Sequence, residues 1–445
     1  MSKITINIKD FRAISNASID IEDITVITGV NASGKSTISR MLYYAAYYSN
    51  NFDLLTDELL YVNLWNYISY LRRQLNLIPD YRRNQLTNPA PTPSSDLLKE
   101  ENDSSEIIQG LIEYYNGGAQ VKATEREQLG KVLGKRIQNR QKFLHGLEEL
   151  DGLIKKEYSQ YWDISNNRTV VMFFLKVFRH FNIVDSELPQ KISILEDGEN
   201  IVSSKRDSLG LFATVDHCYY IDTPMVANMN WNQGVVHWEQ LIKIFGDRSF
   251  PQLIGASYQS ATKLLREIVG GDLLIPDNKT GVNRNQSILF RDDQGHEFPL
   301  KEAASGIKSF AIIKLLLMKG LLNKKTLLII DEPEAHLHPQ WIVEYAKLIF
   351  TLNRDFGVRF LIATHSTDMV QTLHLLQEEY KESRKETDDC SLKFYLAEHS
   401  NDTTDGYVYK DCQGDIEPIF SVFNRSFDLI AKYTPTISKM NDEDE

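Results

Sequence analysis

Gly29-Val30-Asn31-Ala32-Ser33-Gly34-Lys35-Ser36-Thr37 fits the phosphate-binding pattern G-x-x-x-x-G-K-[ST]. The flanks fit as well. Ile24 to Thr28 reads as a short apolar strand, and Ile38, Met41, Leu42 and Ala45 follow at helical spacing. Glycines let the backbone curl until its N–H groups point inward, and a helix N-terminus behind them favours negative charge. Lys35 would reach the β- and γ-phosphates of a nucleotide, and Ser36 would offer its hydroxyl to Mg²⁺. A chance glycine turn would lack the strand before it and the helix after it.

The 445 residues suffice for two or three domains, and 42% hydrophobic with 25% charged residues is ordinary globular composition. No apolar run approaches the roughly 18 residues of a membrane span, and no secretion signal opens the chain. Cys218, Cys390 and Cys412 lie far apart, so neither a disulfide framework nor a zinc site is expected. These features predict a cytoplasmic protein with reduced thiols. The formal net charge of −12 excludes a surface that is basic throughout, though not a local basic groove.

Outward from the loop, Lys3 to Ile14 and Ala17 to Ile21 alternate like a strand and its return partner. Residues 51–204 read as mainly helical, with a linker at 88–95 and strand signals at 192–195 and 200–202 around Asp197-Gly198. Leu129, Val132, Leu133, Ile137, Phe143, Leu144 and Leu147 share one helical arc, which Gly130, Gly134, Gly146 and Gly152 would weaken in a free-standing arm. A packed helical subdomain is therefore expected there. Beyond 205 the pattern becomes α/β: strands at 218–221, 273–275, 326–330, 358–364, 393–397 and 407–409, and helices at 306–322, 339–353, 367–379 and 416–432. The predicted organisation is an α/β nucleotide-binding head built from residues 1–48 and 205–434. A helical insertion at 49–204 interrupts it, and an acidic tail follows at 435–445.

Thr326-Leu327-Leu328-Ile329-Ile330-Asp331-Glu332 is an apolar run ending in two acids. Such a run is buried on both faces of a parallel sheet, and its acids reach the C-terminal edge, where ligands of open α/β sheets bind. Asp331 would hold Mg²⁺ with Ser36, and Glu332 could take a proton from an attacking water. Phe360 to Ser366 repeats the design with His365 at its end, placed to hydrogen-bond a γ-phosphate or that water.

GVNASGKST at 29–37, ASGIKS at 304–309, LLIIDEPEAHLHPQ at 327–340 and ATHS at 363–366 together resemble an ABC-type ATPase of the SMC-like branch. They come close to the stand-alone, OLD-type (overcoming lysogenization defect) ATPases. The resemblance covers roughly 1–48 and 205–430 and leaves the insertion out. It implies ATP and Mg²⁺ as ligands, Glu332 as catalytic base and His365 as switch histidine. It also implies a signature containing Ser305, Gly306 and Lys308 that acts on ATP held by a second copy, hence a homodimer or higher oligomer of heads. Phe11 and Arg12 resemble residues near the adenine. The signature lacks a second glycine, His338 stands where transporters carry an aspartate, and the coupling glutamine is not placed by the sequence, with Gln233 and Gln240 as candidates.

His336 and His338 near Glu332 and Glu334 fit a turn better than a metal cluster. Lys131, Lys135, Arg136, Arg140 and Lys142 form a basic stripe that suits either nucleic-acid contact or a solvated helix face.

Four functions remain open at this point. The first is an ATPase controlling a separate nuclease or toxin in prokaryotic antiphage defence; because the sequence ends soon after its last helix pattern, any nuclease is expected on another chain. The second is a DNA-clamping repair or chromosome-maintenance ATPase, the third a transporter ATPase, and the fourth a scaffold that binds without hydrolysis.

Overall fold

The computed structural model describes residues 2–77, 94–181, 192–203, 205–228, 235–247, 249–251, 253, 255–275, 288–383, 390–400 and 406–424. The linker expected at 88–95 (but for Ser94 and Ser95), the end of the helix expected at 416–432 and the acidic tail lie outside these residues. The chain divides into two compact units. The first holds residues 1–50, 180–206 and 210–445, and the second holds 51–179 and 207–209.

The first unit is α/β. Its main sheet contains β1 (Ile4–Phe11), β2 (Ile14–Ile21), β3 (Ile24–Thr28), β4 (Ile192–Glu196), β5 (Glu199–Ser203) and β6 (His217–Ile221). The short β7 (Gly271–Leu274), β8 (Leu289–Asp292) and β9 (Glu297–Pro299) form a separate three-stranded sheet. β10 (Thr326–Asp331), β11 (Arg359–Thr364), β12 (Leu392–His399) and β13 (Tyr407–Asp411) complete the main sheet, in the order β5-β4-β1-β2-β13-β12-β3-β11-β10-β6. β6, β10, β11, β3 and β12 run parallel, so their C-terminal ends share one edge. β3, β10 and β11 are buried along their whole lengths, as central parallel strands must be.

Alternation along these strands divides the core. Leu328 and Ile330 of β10 and Phe360 and Ile362 of β11 face one large apolar cluster. That cluster is filled by α7 (Val236–Gly246), α8 (Ala256–Val269), α9 (Ser305–Met318), α10 (Pro339–Phe356) and α11 (Thr367–Ser383). Leu327, Ile329, Leu361 and Ala363 lie outside that cluster, and α1 (Lys35–Asn50) packs on β6, β10 and β11. A last helix, α12 (Glu417–Phe423), adds Ile419 to the cluster.

The hairpin expected inside the insertion belongs to the main sheet instead. β4 pairs antiparallel with β1, Ile6 opposite Ile194, so the head is built from three segments of the chain. The cause is the period-two burial of both strands: Ile192, Ile194 and Glu196 are buried beside Ile4, Ile6 and Ile8.

The second unit is helical: α2 (Phe52–Gln74), α3 (Ser94–Asn116), α4 (Ala123–Val132), α5 (Arg140–Asn167) and most of α6 (Val170–His180). The arc at 129–147 is not one continuous helix. It breaks after Val132, where Gly134 takes φ +64°, and α5 restarts under an Asn139 cap that accepts from the Lys142 N–H at 2.9 Å. The arc's apolar residues nevertheless share one core with Leu64, Leu71, Leu111 and Leu150. None of the helices among the described residues is long and apolar enough to cross a membrane.

Candidate nucleotide site

β3 runs into the loop 29–37 at the shared C-terminal edge and α1 starts within the loop at Lys35. The curl depends on three left-handed residues: Gly29 at φ +147°, Ala32 at +65° and Gly34 at +100°. A Cβ on Gly29 would meet the Ala397 Cβ at 2.7 Å, and one on Gly34 would meet the Ile14 side chain at 2.6 Å. The loop is thus clamped between β12 and the β1–β2 turn, and only glycine fits at either end. Asn31, Ala32 and Ser36 are exposed, Ser33 and Thr37 are buried, and Gly34 is half-buried. In the first turn of α1 the Thr37 and Ile38 N–H groups donate to the Gly34 carbonyl at 3.0 and 3.2 Å, and the positive end of the helix dipole there suits an anion.

Lys35 Nζ folds back and donates to the carbonyls of Gly29 at 2.8 Å and Val30 at 3.0 Å. Burial lowers its pKa, opposed by Glu332, Asp331 and Glu334 in that order. These three acids come from the end of β10 and the turn after it, so strand and loop bring the predicted cation and carboxylates together. Burial raises the pKa of Asp331, opposed by the nearby hydroxyls of Ser39, Tyr220 and Ser36. Its Oδ2 accepts from the Tyr220 hydroxyl at 2.8 Å, whereas its buried Oδ1 lacks a protein donor.

Glu332 is exposed and strained: φ is +48°, a left-handed conformation costing about 1–3 kcal/mol in a non-glycine residue. Its N–H donates to the Ala363 carbonyl at 2.7 Å, which ties the ends of β10 and β11 together. His365 stands beside it at the end of β11. Its N–H donates to Glu334 Oε1 at 2.7 Å and its Nδ1 lies 3.0 Å from the same oxygen, while Oε2 of this buried acid has no partner.

Residues that sequence reasoning left out complete the edge. Arg40 Nε donates to the Tyr220 hydroxyl at 3.4 Å, and Asp222, just past β6, accepts from His237 Nε2 at 3.0 Å and Trp238 Nε1 at 2.7 Å. Burial would raise the Asp222 pKa, but His237, Trp238 and Arg40 outweigh it and leave it low. An acid closing β6 as Asp331 closes β10 was the available signal. Gln240 is occupied inside this layer, accepting from Tyr43 and donating to the Cys218 carbonyl. Gln233 lies outside the described residues.

Ser305 and Gly306 open α9, and a Cβ on Gly306 would meet the Trp341 ring at 2.6 Å. Lys308 is 4% exposed and desolvation lowers its pKa. Among the described residues no hydrogen bond or ion pair joins these three to the loop 29–37. Phe11 is buried edge-on against Phe181, with Arg12 over the same ring at 5.4 Å. His338 caps α10, accepting from the Gln340 N–H, and no group of His, Cys, Asp and Glu with metal-holding geometry occurs among the described residues. Lys131, Lys135 and Lys142 lie in the second unit, paired with Glu127, Glu149 and Gln138.

Comparison with known proteins finds similarity to ATPase sequences. Residues 1–108 match the family model described as "AAA ATPase domain", and residues 229–369 match "AAA domain, putative AbiEii toxin, Type IV TA system". These two stretches are thus similar to ATPase domain sequences. An energy-coupling factor transporter ATP-binding protein, EcfA3 of Clostridium perfringens, is 35% identical over 72 residues, 16% of this chain and 25% of that protein. The chain thus spans about a quarter of the length of the curated relatives it matches. Among solved structures, an SMC head bound to the C-terminal winged-helix domain of ScpA is 12% identical, covering 93% of this chain and 98% of that one at a TM-score of 0.37. The SMC head domain from Thermotoga maritima is 12% identical, with coverages of 92% and 99% and a TM-score of 0.34.

Proposed function

We propose that the chain binds and hydrolyses ATP at the edge formed by β3, β10 and β11. The observation that carries this reading is the meeting of Lys35 with Asp331, Glu332 and Glu334 beside a glycine-clamped loop. The loop N–H groups, Lys35 and Thr37 hold the phosphates. Ser36 and Asp331 fit Mg²⁺, because their oxygens are the hard ligands that ion takes and the buried Asp331 Oδ1 awaits a partner. When bound, the ion neutralises charge on the β- and γ-phosphates. Glu332 accepts a proton as water oxygen bonds to the γ-phosphorus and the bond to the bridging oxygen breaks, giving ADP and phosphate. His365, braced by Glu334, donates toward the γ-phosphate.

Ser305, Gly306 and Lys308 act on the nucleotide of a second copy, so ATP links two heads into a dimer. Cytoplasmic location and control of a separate toxin or nuclease in antiphage defence complete the reading. The toxin–antitoxin description of the family model matching 229–369 supports this role.

The test is particle size and ATP turnover of wild type and Glu332→Gln, with and without ATP and Mg²⁺. Removing the base should cut turnover about 10²–10⁴-fold. It should also trap an ATP-dependent larger species that Ser305→Arg abolishes. Unchanged turnover in Glu332→Gln would overturn the assignment of the base, and a size indifferent to ATP would overturn the composite site.

A further inference from the structure

The second unit carries a cleft of about 620 Å³ between α4 and the turn into α5. Four cations line it, Arg126, Lys131, Lys135 and Arg136, against one carboxylate, Glu127. In a chain of net charge −12 that is a local reversal of sign.

The cleft is built by backbone. The Lys135 N–H donates to the Gly130 carbonyl at 2.9 Å, and a Cβ on Gly130 would meet the Lys135 carbonyl oxygen at 2.6 Å. Glycine here lets the turn press onto α4, and Gly134 supplies the left-handed step that carries the chain back over the helix. Arg126 is held at one wall, Nη1 donating to the Gln138 carbonyl at 2.6 Å, while its buried Nε has no partner. Arg136 is exposed and makes no ion pair among the described residues. The pairs Lys131–Glu127 and Lys135–Glu149 are solvent-exposed, and such pairs contribute about 0–1 kcal/mol, so an anion of higher charge density displaces them readily.

We propose that this cleft binds a small ligand carrying two or three clustered phosphates, a nucleoside polyphosphate, independently of the site on β3. The volume falls within the roughly 300–1,000 Å³ of small-molecule sites, and the guanidinium groups suit bidentate phosphate contact. A nucleic-acid track is disfavoured because neighbouring cations are engaged elsewhere. Arg140 donates to the Tyr115 carbonyl, Lys142 to Gln138 Oε1 and Lys155 to Asp151. A strand needs a run of phosphate contacts, whereas this basic lining belongs to one cleft of about 620 Å³. No aromatic ring lines it, so the phosphates and not the base are read.

The probe is inorganic triphosphate, titrated calorimetrically into the full chain carrying Lys35→Ala to weaken the other site. Binding should persist in that background and weaken at least tenfold on adding Arg136→Glu, an exposed change that leaves the core intact, or Arg126→Gln. No binding in the Lys35→Ala chain, or equal binding with Arg136→Glu, would overturn the proposal. Two sources of the phosphates are separated by comparing ATP with a short RNA bearing a 5′-triphosphate. Tighter binding of ATP identifies a free nucleotide, and tighter binding of the RNA identifies a strand end. If the same RNA with a 5′-hydroxyl binds as well as both, the contact is with backbone phosphates and the proposal fails. Failure here leaves the ATPase reading untouched, since turnover by Glu332 is measured separately.

Discussion

Replacing Tyr220 by Phe removes one oxygen from the floor of the proposed metal site and little else. That hydroxyl donates to Asp331 Oδ2 at 2.8 Å and accepts from Arg40. Burial raises the Tyr220 pKa well above its usual 10, so the group remains a phenol and a donor at neutral pH. A hydrogen bond to a charged group contributes about 1.5–3 kcal/mol, and losing a partner of a metal-binding carboxylate typically costs roughly 10–100-fold in metal affinity. The Mg²⁺ concentration for half-maximal ATP turnover should therefore rise about 10–100-fold. Turnover at saturating Mg²⁺ should change far less, because Tyr220 touches neither the water nor the phosphates in this scheme.

A pH signature accompanies it. Burial raises the Asp331 pKa, and Tyr220 is one of the groups opposing that rise. Without it the carboxyl moves higher still, so the acidic limb of activity should shift to higher pH. The assay is steady-state phosphate release across Mg²⁺ and pH, with melting temperature as the check on folding. A variant with unchanged Mg²⁺ dependence and an unmoved acidic limb would refute the positioning role. Loss of turnover that Mg²⁺ cannot restore would place Tyr220 in the chemistry instead.

Saturating ATP at about 100 times its Kd for the β3 site should stabilise the wild type by about 2.7 kcal/mol, read as a rise in melting temperature, and Lys35→Ala should lose the part of that rise due to this site. Gly29→Ala should abolish nucleotide binding at the loop while the helical unit still melts cooperatively, because its Cβ would meet Ala397 at 2.7 Å. Asp222→Asn should destabilise the protein by about 1–3 kcal/mol at pH 7. The folded Asp222 pKa lies below 3.8, so its contribution is complete above that value and is lost as pH falls through the folded pKa. Denaturant melts should therefore show the gap between wild type and variant closing below about pH 4. Glu334→Gln removes the charge that braces His365 at 3.0 Å and should lower turnover without weakening nucleotide binding, a split that binding and turnover assays separate.

The residues legible in the sequence were those whose chemistry is local. The loop 29–37, the run 326–332 and His365 each carry their context within a few residues, as the end of an apolar strand. Tyr220, Asp222, His237 and Arg40 were not legible, because their roles arise where β6 lies beside β10 and α7 packs on β6, pairings that no local period encodes. Glu334 stood in plain view two residues past Glu332 but reads as turn polarity until β11 brings His365 to it. The hairpin at 192–203 was seen as strands and credited to the insertion, since sequence neighbourhood does not reveal a partner as distant as β1. The arc at 129–147 identified the right core residues, while Gly134 determined that two helices supply them.

The order of the main sheet also sets a timetable for the chain as it leaves the ribosome. Asn353 Nδ2 donates to the Asp23 carbonyl across 330 residues, and the Tyr395 hydroxyl accepts from the Asp20 N–H across 375. At about 5–20 residues per second, β3 waits on the order of 15–70 s for the strands that flank it. During that interval Ile24 to Thr28 is an unpaired apolar edge, the kind of segment that recruits other chains. The helical unit, whose contacts are closer in sequence, can finish first. Nucleotide cannot act on the head during that interval, because its site does not exist until β11 has emerged.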